Sequence, residues 1–381
     1  MAKEQRKHHT LGFSAALMQE LVKNIYNLYG SDNWDYERFG RYNNRLATSM
    51  FVIIHTLLKK VGIYLLYRRQ NSVQIGKLMH DFAYGLSFLY DLLEDDYSKD
   101  ILIKVIAYRI LGRHKVKLPL NTRGYWEKRK KAFSLIRSNK RHNIGFKNWS
   151  LKYFELDDIG YPLKLYSRPS GVTSMFMQCQ YTYSKLPSIE VHEGDYVIDA
   201  GGCWGDTALC FAYQVGANGK VYTFEFVPEN LEIMKKNIQL NPELKERIEI
   251  IHKALWSGSN LTIFCSEKGP GSRIIASEKA KESGLKVTTL SIDDFVESYD
   301  IPRVDFIKMD IEGAELPALK GARRTINKYK PKLAISVYHS LNDFVNIPEY
   351  IESLDTKFKF YLDHYTIHSE ETVLFAVPKD R

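Results

Sequence analysis

The feature that most constrains this chain is the regular alternation of apolar strand-like runs with helical runs from Tyr196 onward. YVIDA leads into a helical segment at about 206–215, and KVYTFEF leads into PENLEIMKKNIQL, with Pro228 in the first turn. IEIIHKAL, VDFIKMD and KLAISVY are further strand candidates, and ELPALKGARRTINKY is the helix between the last two. Parallel strands need crossovers, and helices are the usual ones, so this alternation specifies an α/β fold with a mostly parallel sheet. The chain closes on KFKFYLDHY and ETVLFAVP with no helix between them. Those two runs are therefore expected to pair antiparallel.

The first part of the chain reads differently. Up to about residue 145 the pattern is helical. In SKDILIKVIAYRILGR, residues Ile101, Leu102, Val105, Ile106, Ile110 and Leu111 form an apolar face, Ser98 is placed to cap the start, and Gly112 to stop it. Residues 1–150 hold 27 Lys+Arg against 12 Asp+Glu, whereas residues 151–381 hold 27 against 33. The basic excess peaks in 113–147, where Glu127 is the lone acid. The expected organisation is a mainly helical basic region over 1–148, a covering segment over 149–190 and an α/β domain over 191–381. ELDDIGYPLKLYSRPSG suggests a short sheet within the covering segment.

Several classes are disfavoured. Four cysteines (Cys179, Cys203, Cys210, Cys265) without CxxC spacing are too sparse for a disulfide scaffold and suit a reducing compartment. No secretory signal is read at the start. The apolar run 51–67 is broken by Lys59 and Lys60 and falls short of the roughly 20 residues of a bilayer span. A buried helix is expected there, with a membrane-surface helix as the second reading. The chain is expected to be cytoplasmic, with a peripheral membrane contact through its basic region as the alternative.

The glycine-bearing stretch DYVIDAGGCWGD decides the ligand class. It lacks GxxxxGK[ST], so a nucleoside triphosphate loop is excluded, and GxGxxG fails at Cys203 and Asp206. The spacing that fits is D-x-G-x-x-x-G, as Asp199, Gly201 and Gly205. Twenty residues past Gly205, at the end of the next strand, stands Glu225, where a carboxylate can accept bonds from both hydroxyls of a ribose. Gly201, Gly202 and Gly205 would let backbone amides approach a small anion at the helix start. A ligand with a ribose and a carboxylate but no phosphate is S-adenosylmethionine.

From about Pro162 onward the chain resembles the FkbM-type methyltransferases, a family of class I S-adenosylmethionine-dependent enzymes. The resemblance rests on VIDAGGCWGD, VYTFEFVPENLEIMKKNI, HKALWS and, most specifically, FIKMDIEGAELPALKGA. It implies a Rossmann-like seven-stranded sheet with a terminal antiparallel hairpin, plus the helical N-terminal extension. By position it implies that Asp199, Gly201 and Gly205 shape the cofactor loop and that Glu225 takes the ribose. Ala254 and Leu255 would flank the adenine, and Asp310 would lie close to the cofactor amine or the acceptor. Cys203 stands where the family often has Asn. Tyr181, with Gln180, is placed to cover the cofactor.

Methyl transfer to a hydroxyl is mainly positioning, together with removal of the hydroxyl proton by a base near the strand ends. His339 is the expected base, oriented by Asp310 or Asp343. Glu312 is a candidate to satisfy the amides of the following helix. Asp310, Glu312, His339, Asp343 and His364 are all metal-capable, but their spacing has no dedicated ligand pattern and no metal is expected. The polar segment CSEKGPGSRIIASEKAKESG is a candidate lid.

The expected function is O-methylation of a sugar, glycan or related biosynthetic intermediate, by family analogy. The basic stretch would then meet phosphate on a nucleotide- or lipid-linked glycan. The rivals are a nucleic-acid methyltransferase, with Trp126, Phe133 and Trp149 stacking among the basic residues, and a non-catalytic cofactor-binding scaffold. DIEG stands where a base-methylating NPPY-like motif would be, which disfavours the nucleic acid.

Overall fold

The structure is a computed structural model that describes residues 2–42, 71–146, 149–185, 188–266, 269–273 and 284–379. The run 51–67 and most of the candidate lid lie outside the described residues.

Strands β1 (Ile136–Asn143), β2 (Ser150–Glu155) and β3 (Lys164–Ser167) form a small antiparallel sheet; β2 and β3 lie in the covering segment, whereas β1 is a strand within the region expected to be mainly helical. The central sheet begins with β4 (Tyr196–Ala200), β5 (Lys220–Phe224) and β6 (Ile248–Ile251). A third sheet joins β7 (Ala254–Leu255), β8 (Thr262–Cys265) and β9 (Leu285–Leu290). The central sheet is completed by β10 (Phe306–Met309), β11 (Lys332–Ser336), β12 (Phe358–His364) and β13 (Thr372–Pro378). Its order is β12-β13-β11-β10-β4-β5-β6. Contacts from β11 through β6 are parallel, while β13 runs antiparallel to both β11 and β12. The terminal hairpin is therefore as expected.

The burial explains the sequence texture. β10 and β11 are buried at every position, because helices cover both faces, and their sequences are near-continuous apolar runs. Helix Pro228–Gln239 starts on a proline, whose missing N–H costs nothing at a first turn. IEIIHKAL does not form one strand. A turn in which Lys253 N donates to Ile251 O (2.9 Å) hands the chain from the central sheet to β7, which pairs with β9.

The helical N-terminal region is not a separate body. Phe13 and Leu17 of helix Ala2–Asn24, and Leu86 and Leu89 of helix Asn71–Leu92, share one core with Ile307, Leu333 and Phe360 of the sheet. Each such side chain contributes about 1.5–3 kcal/mol of burial. Helix Asp96–Leu111 packs against β12, and Glu94 N donates to Phe360 O (3.0 Å), so the hairpin edge is covered rather than left open. Asp95, not Ser98, caps that helix, accepting from Ser98 N at 2.7 Å. Ser98 is instead buried, its hydroxyl accepting from Leu362 N (2.9 Å). All four cysteines are free thiols.

Candidate active site

The carboxyl ends of β4, β5, β10 and β11 converge on a cleft, the position where open α/β sheets bind ligands. The cleft has two parts: a cavity of about 920 Å³ and a narrow slot beside it. Gly201, Cys203, Asp310 and Glu312 line both, so the two spaces share a wall.

The glycine loop is shaped by its own neighbours. A Cβ on Gly201 would stand 2.0 Å from the Asp310 carbonyl oxygen, and one on Gly202 2.0 Å from Thr223 Oγ1. These glycines thus let the loop after β4 press against β10 and β5. Their amides are not free for a ligand: Gly201 N and Gly202 N both donate to Phe224 O, at 3.1 and 2.9 Å, and Gly205 N to Gly202 O at 2.7 Å. This corrects the expectation that these three amides meet an anion.

Asp199 is likewise turned inward. It is fully buried, accepts from Thr207 Oγ1 (2.7 Å) and Thr223 Oγ1 (2.9 Å), and pairs with Lys308 Nζ at 2.9 Å. Lys308, equally buried, also donates to the Ala200 and Gly201 carbonyls. Asp199 lines neither space, so its part is to lock β4 to β10 beneath the loop.

Glu225 does line the slot, with Cys203, Ala254, Leu255 and Asp310. Its Oε1 accepts from Phe226 N (2.7 Å) and Val227 N (2.8 Å), and its Oε2 from Asn230 Nδ2 (3.2 Å). These bonds hold the carboxylate in place. Burial raises its proton affinity and the backbone donors oppose that rise.

At the shared wall Asp310 collects donors. Tyr181 Oη donates to its Oδ2 (2.9 Å), and Tyr338 Oη lies 3.1 and 3.3 Å from its two oxygens. His339 Nε2 lies 3.1 Å from Asp310 Oδ1 and 3.1 Å from Glu315 Oε1, and its Nδ1 lies 3.5 Å from Glu312 Oε2. Despite burial, bonds to Asp310 and Glu315 push the imidazole pKa up to about 11. These two carboxylates favour the protonated imidazole, which weighs against His339 as the base. Asp343 does not orient it. The Asp343 carboxylate accepts from Ser340 N (2.6 Å) at the start of its own helix and lines neither space. The helix that follows, Glu315–Lys320, has no side-chain cap: Glu312 pairs with Arg273 (3.1 Å), and Glu315 accepts from Ile311 N (2.7 Å) ahead of the helix.

The large cavity also gathers residues that sequence reasoning passed over. Glu371, at the mouth of the terminal hairpin, accepts from Gln180 Nε2 and has a left-handed φ of 69°. Burial, with the nearby charge of Asp310, raises its pKa to about 8. Cys203 (φ 44°) and Glu312 (φ 56°) are similarly strained on the same walls, a frequent mark of functional sites. Trp149, Trp204 and Phe146 form an aromatic side, with the Arg168 guanidinium 3.7 Å from the Trp149 ring centroid. Trp149 was singled out for stacking; the structure places it here, whereas Trp126 donates to Asn121 Oδ1 (2.8 Å) outside the cavity. Within the basic stretch, Arg129 is buried against Glu37 (2.6 Å), Arg123 pairs with Glu127 (2.7 Å), and Arg113 stacks on Trp34 and Phe39. His364 lies buried against Thr372 Oγ1 (2.8 Å) and lines neither space. No helix among the described residues is long and apolar enough to cross a membrane.

Comparison with known proteins places this cleft in a class. Residues 192–360 match the family model of the Methyltransferase FkbM domain. The hexuronic acid methyltransferase AglP of Haloferax volcanii is 28% identical over 132 residues, covering 35% of this chain and 52% of that protein. The match thus spans about half the length of that curated relative. Methyltransferase FkbM of Methylobacillus flagellatus KT has the same fold, with a TM-score of 0.52 at 19% identity, over 87% of this chain and 71% of that one.

Proposed function

We propose that the protein is an S-adenosylmethionine-dependent O-methyltransferase whose acceptor is a sugar hydroxyl. The observation that carries this is the shared wall: a ribose-type slot at Glu225 opens onto a large, aromatic and arginine-lined cavity at Asp310. AglP, named for a hexuronic acid, supports the sugar class.

The residues present fit the cofactor. Glu225 is held by Phe226 N, Val227 N and Asn230 Nδ2, and a carboxylate oxygen can accept more than one bond, leaving capacity for a ribose hydroxyl. Ala254 and Leu255, both buried, offer apolar flanks for the adenine. When bound, the cofactor supplies an electrophilic methyl group. The chain's own residues do the rest. Trp149 and Trp204 present rings against which the apolar face of a sugar can pack. Asp310, held by Tyr181 and Tyr338, fixes the boundary between the two spaces. Glu371 accepts the hydroxyl proton: its pKa of about 8 is near the operating range expected of a base, unlike that of His339.

The test is transfer of labelled methyl from the cofactor into cell extracts, followed by separation of glycan, lipid and nucleic acid. Label in the carbohydrate fraction, stable as an ether, is expected. Label confined to polynucleotide, or none with cofactor bound, would replace this function by one of its rivals.

A further inference from the structure

We propose that Asp310, Glu315 and His339 form a binding site for one hard divalent cation, Mn²⁺ or Mg²⁺, on the wall of the large cavity. The three ligand atoms, one from each residue, lie within 4.8 Å of one another. His339 Nε2 is 3.1 Å from both Asp310 Oδ1 and Glu315 Oε1. One ring N–H can serve both carboxylates only as a shared three-centre bond, weaker to each than a direct one. Ligands at about 2.0–2.1 Å on adjacent corners of an octahedron are about 3 Å apart, which the two 3.1 Å separations match.

The buried polar atoms point the same way. Glu315, fully buried, has Oε2 without a hydrogen-bond partner, and His339 Nδ1 is also unbonded. Asp310 and Glu315 place two carboxylates against a single imidazole, and among the described residues no Lys or Arg pairs with either. The surroundings suit a ligand set. Tyr181 and Tyr338 orient Asp310, Ile311 N holds Glu315 Oε1, and Glu312 Oε2 faces His339 Nδ1 at 3.5 Å as an outer carboxylate. Two carboxylates and an imidazole are compatible with Mn²⁺, and carboxylates favour hard cations generally. Sequence spacing concealed the site, since Asp310 and Glu315 frame a turn and His339 arrives from the end of β11. If the cavity takes a sugar hydroxyl, which rests on the function proposed above, a cation here would coordinate that oxygen and ease loss of its proton.

The test is titration of the chelator-stripped full chain with Mn²⁺, followed by electron paramagnetic resonance, without cofactor or acceptor. One bound Mn²⁺ per chain, displaced by Mg²⁺, is expected. Binding should weaken at least tenfold in Asp310→Asn and Glu315→Gln, each checked for folding by circular dichroism. Absence of binding to folded wild-type chain would overturn the site, as would binding that both folded variants leave unchanged. Should a variant misfold, anomalous diffraction from wild-type crystals soaked in Mn²⁺ decides: a peak among the three side chains supports the site, and no peak there overturns it. Methyl transfer is measured separately, so a missing cation and a wrong function give different results.

Discussion

The slot at Glu225 and the large cavity beside it are built in opposite ways. The slot is local: Glu225 is fixed by Phe226, Val227 and Asn230, all within five residues, and Ala254 and Leu255 follow the next strand. The cavity is assembled from distant segments. Arg38, Arg129, Trp149, Arg168 and Glu371 reach it from the N-terminal region, the small sheet and the terminal hairpin. A nucleoside end anchored on a carboxylate that its own turn fixes can be shared widely, while an acceptor end drawn from three distant regions can vary one side at a time.

This division of labour can be broken by substitution. The largest effect is expected for Glu371→Gln, which should lower kcat by on the order of 10²–10⁴-fold. Its affinity for S-adenosylhomocysteine by calorimetry should stay unchanged; a parallel loss of affinity would erase the separation of the two ends. Glu225→Ala should weaken that affinity by about 10–100-fold, in line with about 1.5–3 kcal/mol for a hydrogen bond to a charged group. With saturating cofactor, the acceptor KM should be unaltered. Trp149→Ala should raise the acceptor KM several-fold, from the loss of about 0.5–1.5 kcal/mol of ring contact, with cofactor affinity preserved.

The smallest effect concerns pH. Burial lowers the pKa of His364 and His368 from 6.5 to about 3. Between those values the unfolded chain binds protons that the folded chain refuses, so their contribution to stability is complete above about pH 6.5 and declines as pH falls toward 3. His368 lines the large cavity and His364 ends β12. Hydrogen exchange at pH 5 should therefore show loosening around the hairpin before β4 and β5; uniform loosening would contradict the difference between the two regions.

The same contrast governs what could be read from sequence. The alternation after Tyr196, the terminal hairpin and the place of Glu225 were legible because each depends on neighbours in the chain. The glycine loop was legible as a loop but not in its reason, since the space its glycines leave is filled by Asp310 and Thr223 from other strands. His339 was found, but its surroundings were not, because these depend on Glu315 and Asp310 reaching the same nitrogen. Glu315 sat within the most specific motif and carried a usable signal in its five-residue spacing from Asp310. Glu371 carried none: its chemistry comes from burial beside Asp310 and Gln180, contacts across most of the domain. Within the basic stretch, composition did not reveal that Arg129, Arg123 and Arg113 are engaged within the chain.

The most direct measurement is a crystal structure of the protein with S-adenosylhomocysteine. The ribose hydroxyls should lie within hydrogen-bond distance of the Glu225 carboxylate, with the sulfur directed toward the cavity at Asp310. A nucleoside bound elsewhere, or one in the slot with its sulfur facing away from that cavity, would contradict the two-ended cleft.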